Sequence, residues 1–430
     1  MLPTVKHERS DVLVVGGGPA GTSVAWALAR EGVDVAVIDR ARFPRDKPCG
    51  EYLSPEASRI LADMGALAPC EAAGAAQLAG MMIRAPGGAL IHGDFSAAHG
   101  FHGFRDRGLA LRRTVLDAIL LDRARAGGAR VMEGARATGL MRDEGGRVVG
   151  VSTSENGVAL ERRATVVIGA DGLRSLVARR LGLSRHSRLV TRYALVAHYR
   201  GIAGVGSHGE MHVHRDGYVG LADVGLGVTN VALVVPRLHA RRAAGDPGRY
   251  LDEWVRRRPQ LAARFLDAER DGAVLATGPF ASRARRAWAA GAALVGDAAD
   301  FFDPFTGEGI YAALRGGELL APAVAEAVRA RSPRAADRAL ADYDRRRRRE
   351  FGGKWRVERM IGLAVGWPAL MNRAAATLER RKDMADLLVG IAGDFVPAGE
   401  VLSARFLLSL VVPAAPPPAR ARIAPAPRHR

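Results

Sequence analysis

The stretch DVLVVGGGPAGTSVAWALAREGVDVAVIDR, residues 11–40, decides the fold. Asp11 precedes an apolar run, Val12 to Val15, that reads as a buried strand. Gly16, Gly18 and Gly21 follow at G-x-G-x-x-G spacing, and Ala25, Leu28 and Ala29 give the next segment a helical packing face. A second apolar strand, Val33 to Ile38, ends at Asp39 and Arg40. The first glycine permits a sharp strand-to-helix turn, the second lets backbone approach a pyrophosphate, and the third allows close helix–strand contact. The helix start, with Pro19 and Ala20 in its first turn, offers free N–H groups and partial positive charge to phosphates. Asp39 stands eighteen residues after Gly21, placed to accept hydrogen bonds from ribose hydroxyls. The unit predicts a dinucleotide site that suits either NAD(P) or FAD.

Two further segments bear on that choice. In ATVVIGADGLRSLVARRLG, residues 164–182, an apolar strand ends at Gly169-Ala170-Asp171-Gly172, and Arg174 and Ser175 open a helix. In LVGDAADFFDPFTGEGIYAALRGGELLA, residues 294–321, a strand stops at Gly296-Asp297. There Pro304 and Gly307-Glu308-Gly309 introduce an apolar helix. An NAD site needs no such extra clamps, whereas the ribitol hydroxyls and ring of FAD do. Asp297 can accept from a ribitol hydroxyl. Gly307 and Gly309 let backbone pass against the ring, and the following helix points its positive end at the charge that collects there on reduction.

Together, G16-x-G18-x-x-G21, GADG and GDAA…PFTGEG resemble the superfamily of class A flavin monooxygenases (aromatic hydroxylases), flavin-dependent halogenases and geranylgeranyl reductases. The resemblance covers most of residues 10–330. It implies an α/β architecture: a Rossmann-like FAD domain of the glutathione-reductase type, an inserted antiparallel-sheet substrate domain and a helical carboxyl-terminal region. The expected FAD domain is discontinuous, over 10–75, 105–185 and 276–330. The substrate domain is expected over 76–104 and 186–275, the helical region over 331–412 and a disordered tail over 413–430. The resemblance also implies a cofactor set of Gly16, Gly18, Pro19, Ala20, Gly21, Asp39, Arg40, Cys49, Arg113, Asp171, Gly296, Asp297, Pro304, Gly307, Glu308 and Gly309. Within it Arg113 falls on the ribityl or phosphate portion and Asp171 near the pyrophosphate. Asp300 departs from the pattern, which usually has a small residue there.

FPRDKPCGEYLSPEA, residues 43–57, resembles the K-x-C-G segment of geranylgeranyl reductases, which lies beside the flavin. Lys47 and Cys49 are therefore the catalytic candidates, against the plainer readings of a surface lysine and a packed small residue. The alternating segments between 186 and 275, with the turn pair Asp216-Gly217, read as antiparallel strands. The W-x-W-x-I-P segment of halogenases is absent. Tyr218-Val219-Gly220-Leu221 stands where geranylgeranyl reductases often carry Y-x-W-x-[FI]-P. The expectation is an FAD-dependent monooxygenase that takes hydride transiently from NAD(P)H, uses O2, and hydroxylates a lipophilic aromatic or polyketide-type substrate. The alternative is an FAD enzyme that reduces C=C bonds of a polyprenyl or other lipid.

Composition bounds the rest. The 430 residues carry a formal charge of +18, but lysine occurs only at 6, 47, 354 and 382, so arginine supplies nearly all of it. A nucleic-acid binder would need aromatic–basic interleaving, zinc spacing or a helix-turn-helix, and none occurs. Cys49 and Cys70 make no disulfide framework and fit a reducing cytoplasm. No metal site is expected: the histidines are scattered, and the alternating pair His212 and His214 reads as ordinary surface. No targeting segment is expected ahead of the first strand. The run Arg345 to Arg349 reads as a solvated helix face, or, with the Trp-containing stretch beyond it, as a dock on a membrane surface.

Overall fold

A computed structural model describes residues 7–97, 99–186 and 191–411, so the expected tail over 413–430 lies outside the described residues. The quoted stretch forms the strand His7–Val15, the helix Pro19–Arg30 and the strand Val35–Asp39. Val12, Leu13 and Val14 are at most 1% exposed, as expected of a strand covered on both faces. They lie in an eight-stranded sheet ordered Trp288–Ala289, Ala292–Leu294, Val158–Gly169, His7–Val15, Val35–Asp39, Arg130–Glu133. Val148–Glu155 extends it antiparallel to Val158–Gly169, and Arg136–Arg142 pairs antiparallel in turn with Val148–Glu155.

The register of this sheet positions the site. Val15 pairs in parallel with Ile38 on one side and Gly169 on the other, and Gly169 pairs in parallel with Leu294. The three glycine-bearing loops therefore leave one row of strand ends side by side. Ligands of such sheets bind outside the carboxyl ends of the strands.

A second, seven-stranded sheet stands over that edge. Its order is Glu269–Thr277, Arg192–Arg200, Thr229–Pro236, Gly217–Asp223, His208–His214, Gly80–Arg84, Leu90–Asp94. The strand Arg192–Arg200 shows why its middle reads as an unbroken apolar run. Ala194 and Val196 join one buried cluster with Tyr218, Val234 and Phe305, while Leu195, Ala197 and Tyr199 join another with Leu251 and Trp254. The sheet is not wholly antiparallel, because His208–His214 pairs in parallel with Gly80–Arg84. The connecting turn is Arg215-Asp216, since His214 pairs with Gly217; this is one residue earlier than expected. Three helices missed by the strand pattern, Arg237–Ala243, Pro247–Arg256 and Pro259–Arg264, cover the outer face. The expected boundary at 275/276 falls inside the strand Glu269–Thr277.

The helix Gly309–Arg329 packs against Pro19–Arg30 so closely that a Cβ on Gly317 would meet Ser23 Oγ at 2.6 Å. Ser23 Oγ donates to Leu314 O at 2.9 Å across the same seam. The carboxyl-terminal region is helical over Pro333–Gly366, Pro368–Arg380, Lys382–Ala392, Ala398–Leu402 and Ala404–Val411. Arg347 corrects the reading of the arginine run as a solvated face. It is 3% exposed and ion-paired with Asp300, while Arg345, Arg346, Arg348 and Arg349 are exposed. Asp300, the departure from the family pattern, is thus an inserted acid with its own buried partner, and it does not face solvent.

Candidate functional site

Between the strand ends and the seven-stranded sheet lies a cleft with about 2000 Å³ of empty space, its open mouth included. Gly16 has φ +110°, and a Cβ there would meet Ala170 O at 2.4 Å. A Cβ on Gly21 would lie 1.8 Å from Gly16 O. These two glycines are fixed by backbone contact. Gly18 differs: the nearest atoms to its Cβ position are Arg45 Nη2 at 3.6 Å and Arg113 Nη2 at 3.8 Å. Two guanidinium groups beside open backbone at a helix start, with Pro19 at its first position, make a pocket for an anionic pyrophosphate.

Both guanidiniums are held by one carboxylate. Asp117, fully buried, accepts from Arg113 Nε and Nη2 at 2.7 Å each and pairs with Arg45 at 2.8 Å. Burial pulls the Arg113 pKa down, but Asp117 and Cys49 more than offset it, so Arg113 stays charged. Sequence reasoning missed Asp117, although its spacing of four from Arg113 on the helix Arg113–Ala126 was a signal.

Asp39 is tied to the turn it follows. Its Oδ2 accepts from Gly17 N at 2.8 Å and its Oδ1 from Ala41 N at 2.8 Å, leaving each oxygen one further lone pair for a ribose hydroxyl. Arg40 is exposed beside it. Asp171 caps the helix Leu176–Arg180, its Oδ2 accepting from Leu176 N at 2.6 Å. Burial raises its pKa while these hydrogen bonds oppose the rise.

The remaining expected residues line the cleft. Gly296 has φ +62°, and a Cβ there would meet Ala20 Cβ at 2.9 Å, which keeps the Asp297 turn close to the first helix. Asp297 Oδ2 stands 3.9 Å from Lys47 Nζ. Burial in the cleft lowers the Lys47 pKa; Asp297 opposes this, and Arg113 and Arg45 add to it. Pro304 opens a short turn ending at Gly307, φ +74°, where a Cβ would meet Tyr52 Cδ1 at 2.7 Å. Gly309 then begins the helix, whose first turn carries no acid to compete for its free N–H groups.

Four residues that the sequence analysis did not nominate complete the site. Glu51, 1% exposed and at φ +61°, joins three elements: its Oε1 accepts from Arg113 N at 2.8 Å, and its Oε2 contacts His198 Nε2 at 2.7 Å and Asn230 Nδ2 at 3.0 Å. A non-glycine residue in that conformation marks a backbone held by its surroundings. Asn230 also donates to Cys49 O at 2.9 Å, so the K-x-C-G-E loop is pinned between the seven-stranded sheet and the start of the helix Arg113–Ala126. Asp303 binds Arg192 at 2.6 Å, accepts from Tyr218 Oη and caps Phe305 N at 3.1 Å. Glu358, from the helix Pro333–Gly366, lines the cleft with a buried Oε2 that has no hydrogen-bond partner among the described residues. Burial, then Glu308 and Asp303, raise its pKa well above the ordinary value against the pull of Lys354. Glu358 gave no local signal, since its surroundings come from 303–308. The walls facing it are apolar, among them Leu78, Met81, Val196, Phe280 and Trp355.

The family described as "FAD binding domain" matches residues 9–354. Digeranylgeranylglycerophospholipid reductase of Methanosarcina mazei is 30% identical over 329 residues, 75% of this chain and 77% of that protein. Menaquinone reductase of Mycobacterium tuberculosis is 30% identical over 334 residues, 73% and 76% of the two chains. Among solved structures, a myxobacterial chondrochloren halogenase superposes with TM-score 0.75 at 25% identity, over 81% of this chain and 82% of that one. A geranylgeranyl bacteriochlorophyll reductase-like protein of Thermoplasma acidophilum superposes with TM-score 0.70 at 24% identity, over 94% and 96%, and shares the fold. The glycine cradle, the paired guanidiniums and the Gly309 helix start fit FAD. The chain belongs to the FAD-binding-domain family, the flavoprotein superfamily of class A monooxygenases, flavin halogenases and geranylgeranyl reductases, and is an FAD-dependent oxidoreductase.

Proposed function

We propose that this oxidoreductase reduces isolated C=C bonds of an isoprenoid lipid, with NAD(P)H as the source of electrons. The observation that carries the reading is Glu358: an acid on the wall of an apolar cleft, with a buried oxygen that has no hydrogen-bond partner among the described residues and a pKa raised by burial. Reduction of an unactivated double bond adds a hydride and a proton. When bound, FAD supplies the hydride chemistry. The protein must then supply a proton, and Glu358, whose pKa burial raises, is the acid on the cleft wall that would give it. Lys354, its own pKa lowered chiefly by burial, is ion-paired with Asp394 and adds a positive field that opposes the rise at Glu308 and Glu358. Gly18, with Arg113 and Arg45 held in place by Asp117, would bind the pyrophosphate of the cofactor; Asp297 would bind its ribitol, and the Gly309 helix start would take its ring.

The two relatives reported above, a digeranylgeranylglycerophospholipid reductase and a menaquinone reductase, support the same reading. Hydroxylation of a lipophilic phenol through O2, the preference drawn from sequence, keeps the same cofactor site, but it calls for a group that removes a substrate proton, a role that the raised pKa of Glu358 disfavours. Turnover of polyprenyl substrates and lipophilic phenols under isotopic O2 and under argon, read by product mass, tests the choice. Gain of two hydrogens without air is the expected result, and incorporation of labelled oxygen overturns it.

Substrate delivery fits a membrane face. Arg349, Arg356 and Leu363 recur seven residues apart on the helix Pro333–Gly366, Trp367 follows one turn on, and all four are exposed. No helix among the described residues is long and apolar enough to cross a membrane, so this contact would be peripheral.

A further inference from the structure

The sequence scatters its histidines, but the fold brings two of them together on the edge of the seven-stranded sheet, away from the cleft. His92 and Asp94 lie on the edge strand Leu90–Asp94, and His208 begins the strand His208–His214, two strands away across Gly80–Arg84. His92 Nε2 and His208 Nε2 stand 3.0 Å apart, Asp94 Oδ1 is 2.8 Å from His208 Nε2, and it is 3.5 Å from His92 Nε2.

We propose that these three atoms form a binding site for a divalent transition-metal ion of the zinc class. Ligands about 2.05 Å from a tetrahedral zinc lie about 3.3 Å from one another, and the three separations bracket that value. The proton count points the same way. If His208 Nε2–H donates to Asp94, the His92 Nε2 lone pair converges on that same hydrogen. One proton then serves three ligand atoms, and a metal ion satisfies all three at once.

Lys382 Nζ occupies the other oxygen of Asp94 at 2.7 Å and also binds Asp386 at 2.8 Å, so it fixes the carboxylate that presents Oδ1. The same ammonium repels a nearby cation, so the site is expected to be weaker than a closed structural zinc centre. Through Lys382 and Asp386 the metal would brace the helix Lys382–Ala392 against the sheet edge.

The test uses the full chain with its flavin, stripped of metal by chelator. Calorimetric titration with Zn2+ should give one saturable equivalent. Electron paramagnetic resonance with Cu2+ should show coordination by two imidazole nitrogens. His208→Ala and His92→Ala should each weaken Zn2+ binding at least tenfold, while His212→Ala, whose ring is engaged by Glu210, should not. Flavin absorbance and circular dichroism of each variant establish that it is folded. Absence of a saturable equivalent, or Zn2+ binding by the His92 and His208 variants as tight as the parent's, overturns the proposal.

Discussion

Glu358 is a side chain whose chemistry depends on distant neighbours. A carboxyl whose folded pKa lies above its ordinary value of 4.5 binds more protons folded than unfolded once pH exceeds 4.5. The stability of the neutral acid is fully present below that pH and is lost as pH rises toward the folded pKa, by about 1.4 kcal/mol per pH step between the two values. Glu358→Gln cannot ionise, so its thermal midpoint should fall less than the parent's between pH 5 and 8. A parallel pH dependence for the two proteins, measured by scanning calorimetry, would contradict a neutral Glu358. Turnover on a polyprenyl substrate should drop by about 100-fold or more with this variant, the usual weight of a positioned acid, with flavin content unchanged. Glu358→Asp should recover part of it. Asp300 teaches the complementary lesson: an acid that breaks a family pattern is explained by Arg347, forty-seven residues away in the chain.

Strands and helices carry the cofactor cradle by close approach. The first turn of the helix Pro19–Arg30 touches the strand end so tightly that Gly21→Ala would set a Cβ 1.8 Å from Gly16 O, a backbone atom that cannot swing aside. Overpacking of this kind costs about 1–3 kcal/mol or more. Gly21→Ala should therefore lower the urea midpoint and release flavin on gel filtration, read as loss of absorbance in the blue. Gly18→Ala is the contrast, because the space beside Gly18 is bounded by the Arg45 and Arg113 guanidiniums and not by backbone. It should leave the urea midpoint of the flavin-free protein near that of the parent while weakening flavin retention. Equal loss of stability in both variants would show that the two glycines serve packing alone.

The whole molecule places an apolar cleft between two sheets, and a helical region carrying exposed Leu363 and Trp367 beside it. Basic residues near an anionic bilayer contribute roughly 1 kcal/mol each. Sedimentation with vesicles containing phosphatidylglycerol should carry the parent down at low salt. Arg349→Glu with Trp367→Glu should leave most of it in solution, and neutral phosphatidylcholine vesicles should bind weakly. Equal binding of parent and double variant would place any membrane contact elsewhere.

The sequence by itself determined the FAD-binding fold of this protein. Glycine spacing, apolar strand runs and terminal acids are local devices, written within about thirty residues each, and the in-register strand ends Val15, Gly169 and Leu294 lie where those motifs predict. Sequence alone could not place Glu51 against His198 and Asn230, bring Glu358 to the cleft, bury Arg347 inside a run of exposed arginines, or set His92 beside His208. Those groups meet across separations such as the 147 residues between Glu51 and His198. Hydropathy patterns record which face of an element is buried, not which other face it meets. A polar side chain's charge, partner and proton follow from that meeting, so tertiary structure decided them.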